Sequence, residues 1–252
     1  GTVGTNIVAK ADPDGYTIGL CSLGFSYAPA LYAKLPYDTE KDLAPITLTA
    51  TQPFVYTAHP SLGVNNMKEL IALAKARPGY IRYGSGGAGG ASHLGTELLR
   101  NITGIELTHV PYKSTAAAIA GTVAGETQVA FYSASASLTH VKAGRFRAIA
   151  VTGKRRSPSF AELPTVAEAA NLPGYEVTAW TGLLAPAGTP RPIVGKLNNE
   201  LVRILQLGDV KEKLAVIDFE PVGNTPEAFG MFLVQQITKW AKVLQDAGAK
   251  PE

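Results

Sequence analysis

The chain is 252 residues long and has a single cysteine, Cys21, and two methionines. None of its apolar runs is long enough to cross a bilayer. One cysteine excludes an intramolecular disulfide, and its setting in Thr17-Ile18-Gly19-Leu20-Cys21 reads as a core strand, not as a nucleophile. The four histidines, His59, His93, His109 and His140, are scattered, with no i, i+4 pair and no neighbouring paired carboxylates, so no zinc motif is expected. Charged residues make up 17% of the chain and the net charge is only +3. The basic residues form no stripe that would track nucleic acid, and Lys154-Arg155-Arg156 before Ser-Pro reads as a solvated turn. Internal repeats, low-complexity tracts and heptad seams are absent. The chain opens on Gly1-Thr2-Val3-Gly4 with no signal peptide, which reads as a start within a domain.

What is present is an apolar-rich sequence (46%) with 26 glycines, sized for one large or two medium domains. β-rich runs alternate with helical ones, which predicts an α/β class with parallel sheets. Strands are expected at 16–21, 44–50, 54–59, 81–83, 106–110, 128–132, 146–152 and, as an extended run, 178–186. Helices are expected at 6–10, 67–76, 116–124, 138–143, 192–206 and 226–247. Asn224-Thr225-Pro226-Glu227 is a helix-start signal with proline in the first turn. No linker separates consecutive domains, so a second domain is expected to be inserted into the first through two crossover strands.

One run carries most of the functional information: Tyr83-Gly84-Ser85-Gly86-Gly87-Ala88-Gly89-Gly90-Ala91-Ser92-His93-Leu94. A strand passes through a glycine-rich turn into a helix whose first N–H groups lack intrahelical partners, which with the helix dipole makes an anion site. The plainer reading is a structural turn with Ser92 as N-cap. The spacing matches neither a Walker A loop nor a dinucleotide fingerprint, so a carboxylate fits better than a nucleotide. A serine hydrolase is the enzymatic rival. However, Ser92 and His93 are adjacent on a helix and face apart, and the flanks of Ser85 are not those of a nucleophile elbow.

Several further motifs recur in fixed order: Ala11-Asp12-Pro13-Asp14-Gly15-Tyr16-Thr17, Leu35-Pro36-Tyr37, His59-Pro60-Ser61-Leu62, Val110-Pro111-Tyr112-Lys113, Pro164-Thr165-Val166-Ala167-Glu168 and Gly182-Leu183-Leu184-Ala185-Pro186-Ala187-Gly188-Thr189-Pro190. In this the chain resembles the Bug family of extracytoplasmic solute receptors, the substrate-binding component of tripartite tricarboxylate transporters, over essentially its whole length. The resemblance implies a two-lobed periplasmic binding protein of type II, a Venus flytrap of parallel-sheet domains joined by two crossover strands. It places lobe 1 at 1–55 plus 179–252 and lobe 2 at 56–178. It implies a periplasmic, non-enzymatic protein that closes on a dicarboxylate, tricarboxylate or aromatic acid and serves membrane permease components. Presentation of the bound carboxylate to a signalling partner is the alternative role. It also implies that relatives carry a strand, a loop and a helix before the position of Gly1, so lobe 1 is expected to be N-terminally incomplete. The protein is expected to be a monomer unless another chain compensates for that segment.

Ligands of open α/β sheets sit beyond the carboxyl ends of strands. That rule selects Ser22, Gly24 and Ser26 after the first strand, and Ser85, Gly87, Ala88, Gly90, Ala91 and Ser92 in the glycine loop. It adds Tyr112, Tyr132 and Ser133 after the next two strands, and Trp180 on the return crossover. Backbone N–H groups and Ser and Tyr hydroxyls would hold the carboxylate; no cofactor or metal is expected. Where amino-acid-binding relatives are expected to place an acid against the ligand's ammonium, this chain has Gln128 and Tyr132-Ser133, which points to an acid without an amine.

Overall fold

A computed structural model of the chain describes residues 1–87 and 89–248. The elements follow in the order α1 (Thr2–Ala9), β1 (Gly19–Ser22), α2 (Leu23–Leu31), β2 (Leu43–Ala58), α3 (Met67–Ala76), β3 (Arg82–Ser85) and α4 (Ala91–Thr103). Next come β4 (Thr108–Pro111), α5 (Thr115–Val123), β5 (Val129–Ser133), α6 (Ala134–Lys142), β6 (Arg147–Val151) and α7 (Val166–Ala170). The chain ends with β7 (Thr178–Pro186), α8 (Arg191–Leu205), α9 (Gly208–Val216), β8 (Glu220–Pro221) and α10 (Pro226–Asp246). They form two compact units, one of Gly1–Thr51 with Trp180–Glu252 and one of Gln52–Ala179. The chain passes between them twice, in β2 and in β7.

The two strands expected at 44–50 and 54–59 are one, β2, and Pro53 lies inside it. A proline removes a ladder donor, so it survives in a strand only where no partner needs that N–H. The ladder with β8 stops at Thr51, and those with β5 and β6 begin at Phe54 and Val55. Pro53 falls in the gap.

Parallel sheets were the expectation, and that detail is corrected: the α/β class holds, but the sheets are mixed. In the first unit β1 pairs antiparallel with β7 from Gly19↔Leu184 to Ser22↔Thr181, β7 adjoins β2, and β2 pairs antiparallel with β8. In the second unit β3 runs parallel to β4 and β5, while β2 is antiparallel to β5 and β6. Parallel pairing needs a crossover helix, which α4 and α5 supply; the two strands shared between units, β2 and β7, instead carry antiparallel ladders.

Each unit has its own apolar interior. Trp180 meets the edges of Phe229 and Phe232 in the first, the pair projecting from α10. In the second, Val55, Ala134, Val151 and Phe160 form one cluster and Ala118, Ala130, Tyr132 and Phe146 another. Cys21 belongs to the core, with its thiol 3.3 Å from the Gly182 carbonyl and pushed up to about 12 by burial. Helix α2 was not anticipated: Gly24 and Pro29 weaken its helical signature, yet Ser26 and Ala28 are buried within it.

Candidate functional site

The glycine loop joins β3 to α4 inside the second unit, and its residues are fixed by close approach. A Cβ on Gly86 would lie 2.7 Å from the backbone nitrogen of Thr115 at the start of α5. Gly87 and Gly89 have φ of +132° and +75°, where L side chains are strained. Ala88 lies outside the described residues. The N-cap of α4 is Gly90, not Ser92, which sits one residue into the helix and is buried. Glycine has no side chain to accept from the first turn, and no side-chain cap bond is made there. The N–H groups at Ala91 and Ser92 therefore begin a 13-residue helix without a protein cap, at the positive end of its dipole.

Behind this turn stands a polar network. Ser85 is fully buried; its Oγ donates to the Gly87 carbonyl at 3.0 Å and lies 2.7 Å from Nε2 of His109. The His93 ring stacks on His109 at 4.2 Å between centroids, and His109 stacks in turn on Tyr83 at 4.8 Å. Gly89 N–H donates to His93 Nδ1 at 3.0 Å. Glu97, one turn along α4, accepts from Tyr83 at 2.6 Å and from Arg100 at 2.7 Å. Burial drives the His109 imidazole down to about 4, with His93 adding to the effect, and burial also lowers His93. Both rings are neutral at pH 7. The sequence hid this cluster, because His93 and His109 meet only through the parallel register that sets Tyr83 opposite His109. The alternation of Glu106-Leu107-Thr108-His109-Val110, read together with that register, is the one signal that would have found it.

The other predicted residues divide. Ser22 is the N-cap of α2 and exposed; it makes no side-chain cap bond, so α2 also starts uncapped, directly after β1. Ser22 and Gly24 line a cavity of about 330 Å³ together with Thr5, Tyr27 and Tyr37. Trp180 is 1% exposed, and its indole Nε1 has no hydrogen-bond partner among the described residues. Ser133 caps α6, accepting from Ala136 N–H, and Tyr112 spends its hydroxyl on Glu126 at 2.9 Å. Two further predicted residues lie in the interior. Ser26 is buried and donates to Leu23 within its own helix. Tyr132 is a core residue with its hydroxyl 3.1 Å from Thr122.

Two serine–histidine pairs meet, Ser61 with His59 and Ser85 with His109, each at 2.7 Å; the second, at the glycine loop, is arranged wrongly for nucleophilic chemistry. Ser85 Oγ is held by the backbone of its own loop, donating to the Gly87 carbonyl at 3.0 Å and accepting from the Gly87 N–H at 3.3 Å, so the hydroxyl is not presented as a nucleophile. Ser85 is moreover fully buried. Among the described residues no group of three or more His, Cys, Asp or Glu could hold a metal ion, and no helix is long and apolar enough to cross a membrane.

Comparison with known proteins identifies the family and the fold. Residues 1–249 match the tripartite tricarboxylate transporter family receptor, TctC. Protein BugT of Bordetella pertussis is 33% identical over 252 residues, covering 99% of this chain and 77% of BugT. An R. palustris protein solved with adipate superimposes with a TM-score of 0.84 at 34% identity, over 100% of this chain and 84% of that one. MatC from Rhodopseudomonas palustris with bound malate gives 0.77 at 30% identity, over 96% and 84%.

Proposed function

The chain belongs to the tripartite tricarboxylate transporter receptor family, and we propose that it is an extracytoplasmic receptor for a small amine-free carboxylate, delivered to membrane permease components. The family is one of solute-binding receptors, not of enzymes, and its members are periplasmic binding proteins. Periplasmic residence and a permease partner are our reading for this chain, as are lobes of 1–55 plus 179–252 and 56–178.

One observation carries the proposal: helix α4 begins with N–H donors that the protein leaves uncapped. A carboxylate placed there gains charge-assisted bonds of the kind that roughly double a neutral one. The glycines at 87, 89 and 90 leave room for close backbone approach, and Ala91 and Ser92 supply the donors. In the first unit, taken by itself, the start of α2 with Ser22 and Gly24 is likewise uncapped. Recognition is thus by neutral donors and dipoles, which bind the ligand and leave it chemically unaltered.

The local charges support a ligand without an amine. Glu97 is the carboxylate nearest the loop network, and it is already shared between Tyr83 and Arg100. Gln128 is committed to Arg82 N–H and the Gly125 carbonyl. An ammonium would therefore lack a free anionic partner at this turn, and desolvating it unpaired costs several kcal/mol, of the order of 2–5. Relatives solved with adipate and with malate support the amine-free class. Titration calorimetry with adipate, malate, aspartate and glutamate tests the reading. We expect heat from the first two and none from the amino acids; tight aspartate binding with no response to either plain acid would overturn it.

A further inference from the structure

The imidazoles of His93 and His109 are not themselves donors to a ligand, yet they hold the loop that presents those donors. Gly89 N–H donates to His93 Nδ1, which fixes the tautomer: Nδ1 accepts, and the ring proton sits on Nε2, 4.0 Å from Glu97 Oε1. On the other side of the stack, His109 Nε2 lies 2.7 Å from Ser85 Oγ, which in turn lies 3.0 Å from the Gly87 carbonyl. Both ends of the glycine loop are thus anchored, Gly87 through His109 and Gly89 through His93.

We propose that His93 and His109 are positioning residues for the glycine loop, and that protonation of His93 releases Gly89 and weakens the hold of α4 on a carboxylate. The inference rests on the reading of α4 as the carboxylate site. Its logic is one of valence. A proton arriving at His93 must go to Nδ1, the atom that accepts from Gly89, so two donors would face each other and the bond breaks. Protonation of His109 keeps its contact with Ser85, because a protonated Nε2 donates to the hydroxyl oxygen. It would, however, put a second positive charge in a stack 4.2 Å from His93.

The surroundings determine when this happens. From α4, Glu97 favours a charged His93, but Arg100 draws on the same carboxylate at 2.7 Å and opposes it. From β3, Tyr83 presents a neutral phenol, kept well above the usual range by burial and by its bond to Glu97. From β4, His109 is the like-charged neighbour. The positive end of the α4 dipole also disfavours an imidazolium in the first turn. Burial is the largest influence on both rings and lowers both. The sign is therefore fixed: the loop is anchored at and above the ordinary histidine range of about 6.5, and is released as the pH falls below it.

The test follows the amide of Gly89 by hydrogen exchange and the His93 ring by nitrogen NMR, in the whole chain, with adipate as the binding probe. Between about pH 7.5 and a pH below the His93 titration, which burial places under the ordinary range, the protection factor of Gly89 should drop about ten-fold, as His93 Nδ1 changes from acceptor to protonated nitrogen. His93→Asn keeps an acceptor near Nδ1 that cannot titrate, so its Gly89 protection should stay level. Between those two values its adipate affinity should fall about five-fold less than that of the wild type; protonation of adipate itself affects both proteins alike. His93→Phe keeps the stack but not the acceptor and should show low protection at both values. Gly89 protection that ignores pH in the wild type, or falls equally in His93→Asn, would overturn the proposal. If the Gly89 response appears but adipate, malate and other plain acids all fail to bind, the anchoring by His93 stands and the assignment of α4 as the carboxylate site falls.

Discussion

Three strands of the second unit hand over directly to helices, and the three turns are built differently. Ser114 caps α5 by accepting from Ala117 N–H, and Ser133 caps α6 by accepting from Ala136 N–H. At α4 the N-cap is Gly90 and no side chain closes the first turn. A serine or threonine cap is better than glycine by only a few tenths of a kcal/mol, so the longest of the three helices gives up little stability and keeps its first-turn donors open. The same turn has buried support that neither other turn shows among the described residues: Ser85, His109, His93, Tyr83, Glu97 and Arg100 run in a continuous chain behind it. Stiffness is supplied from behind where capping is withheld in front. That is how a backbone anion site is prepared in advance of its ligand, with donors fixed in place and left unsatisfied.

The comparison breaks most severely if the loop can no longer pack on its neighbour. In Gly86→Ala the added Cβ would meet the Thr115 backbone nitrogen at 2.7 Å, and backbone yields far less readily than the end of a side chain. We expect a loss of about 2 kcal/mol in a denaturant titration, from the overpacking. Adipate affinity should fall about a hundred-fold, because the donors at Ala91 and Ser92 move with the loop. Wild-type affinity in a destabilised but folded Gly86→Ala protein would show that the loop does not present the ligand's donors.

Much of this turn was legible before any coordinates. Glycines between Ile81-Arg82-Tyr83 and a helical pattern told of a strand, a tight bend and a helix start, because those residues act through local geometry. What could not be read was which residue caps. Ser92 is the better capping residue by type, but the backbone enters helical geometry at Ala91 and so Gly90 takes the position. The histidine stack was equally hidden, since its members are brought together by strand register and not by spacing along the chain. The surroundings of Tyr132 and Ser26 were hidden for a related reason. Both follow or end a strand, as binding residues do, but one turns into a core and the other into its own helix. The strands expected at 44–50 and 54–59 are one, because Pro53 falls in the gap between two ladders.

A milder change sharpens the contrast by giving α4 the cap it lacks. Gly90 has φ −72° and ψ 164°, a conformation any residue adopts, and a Cβ there would approach the Gly87 carbonyl at an ordinary 3.4 Å. In Gly90→Ser the new hydroxyl can accept from the first turn and so competes with the ligand for the same N–H. Calorimetry should show adipate affinity reduced about ten-fold. Denaturation should show the free protein unchanged or a few tenths of a kcal/mol more stable. Unaltered affinity would mean that the ligand does not use the first turn of α4.

The smallest effect expected is on binding, in the converse substitution. Ser114→Ala strips α5 of its cap, leaving the Ala117 N–H to water, since Ser114 is exposed. Stability should fall by about 1 kcal/mol, the usual cost of losing such a residue. Adipate affinity should change by less than about two-fold, because a helix whose donors the protein has already satisfied has none to offer a carboxylate. The two substitutions thus separate the roles: adding a cap at α4 should move affinity and hardly touch stability, and removing one at α5 should do the reverse. A large loss of adipate binding in Ser114→Ala would place the ligand at β4 and α5 instead, and the difference in capping among the three turns would lose its functional meaning.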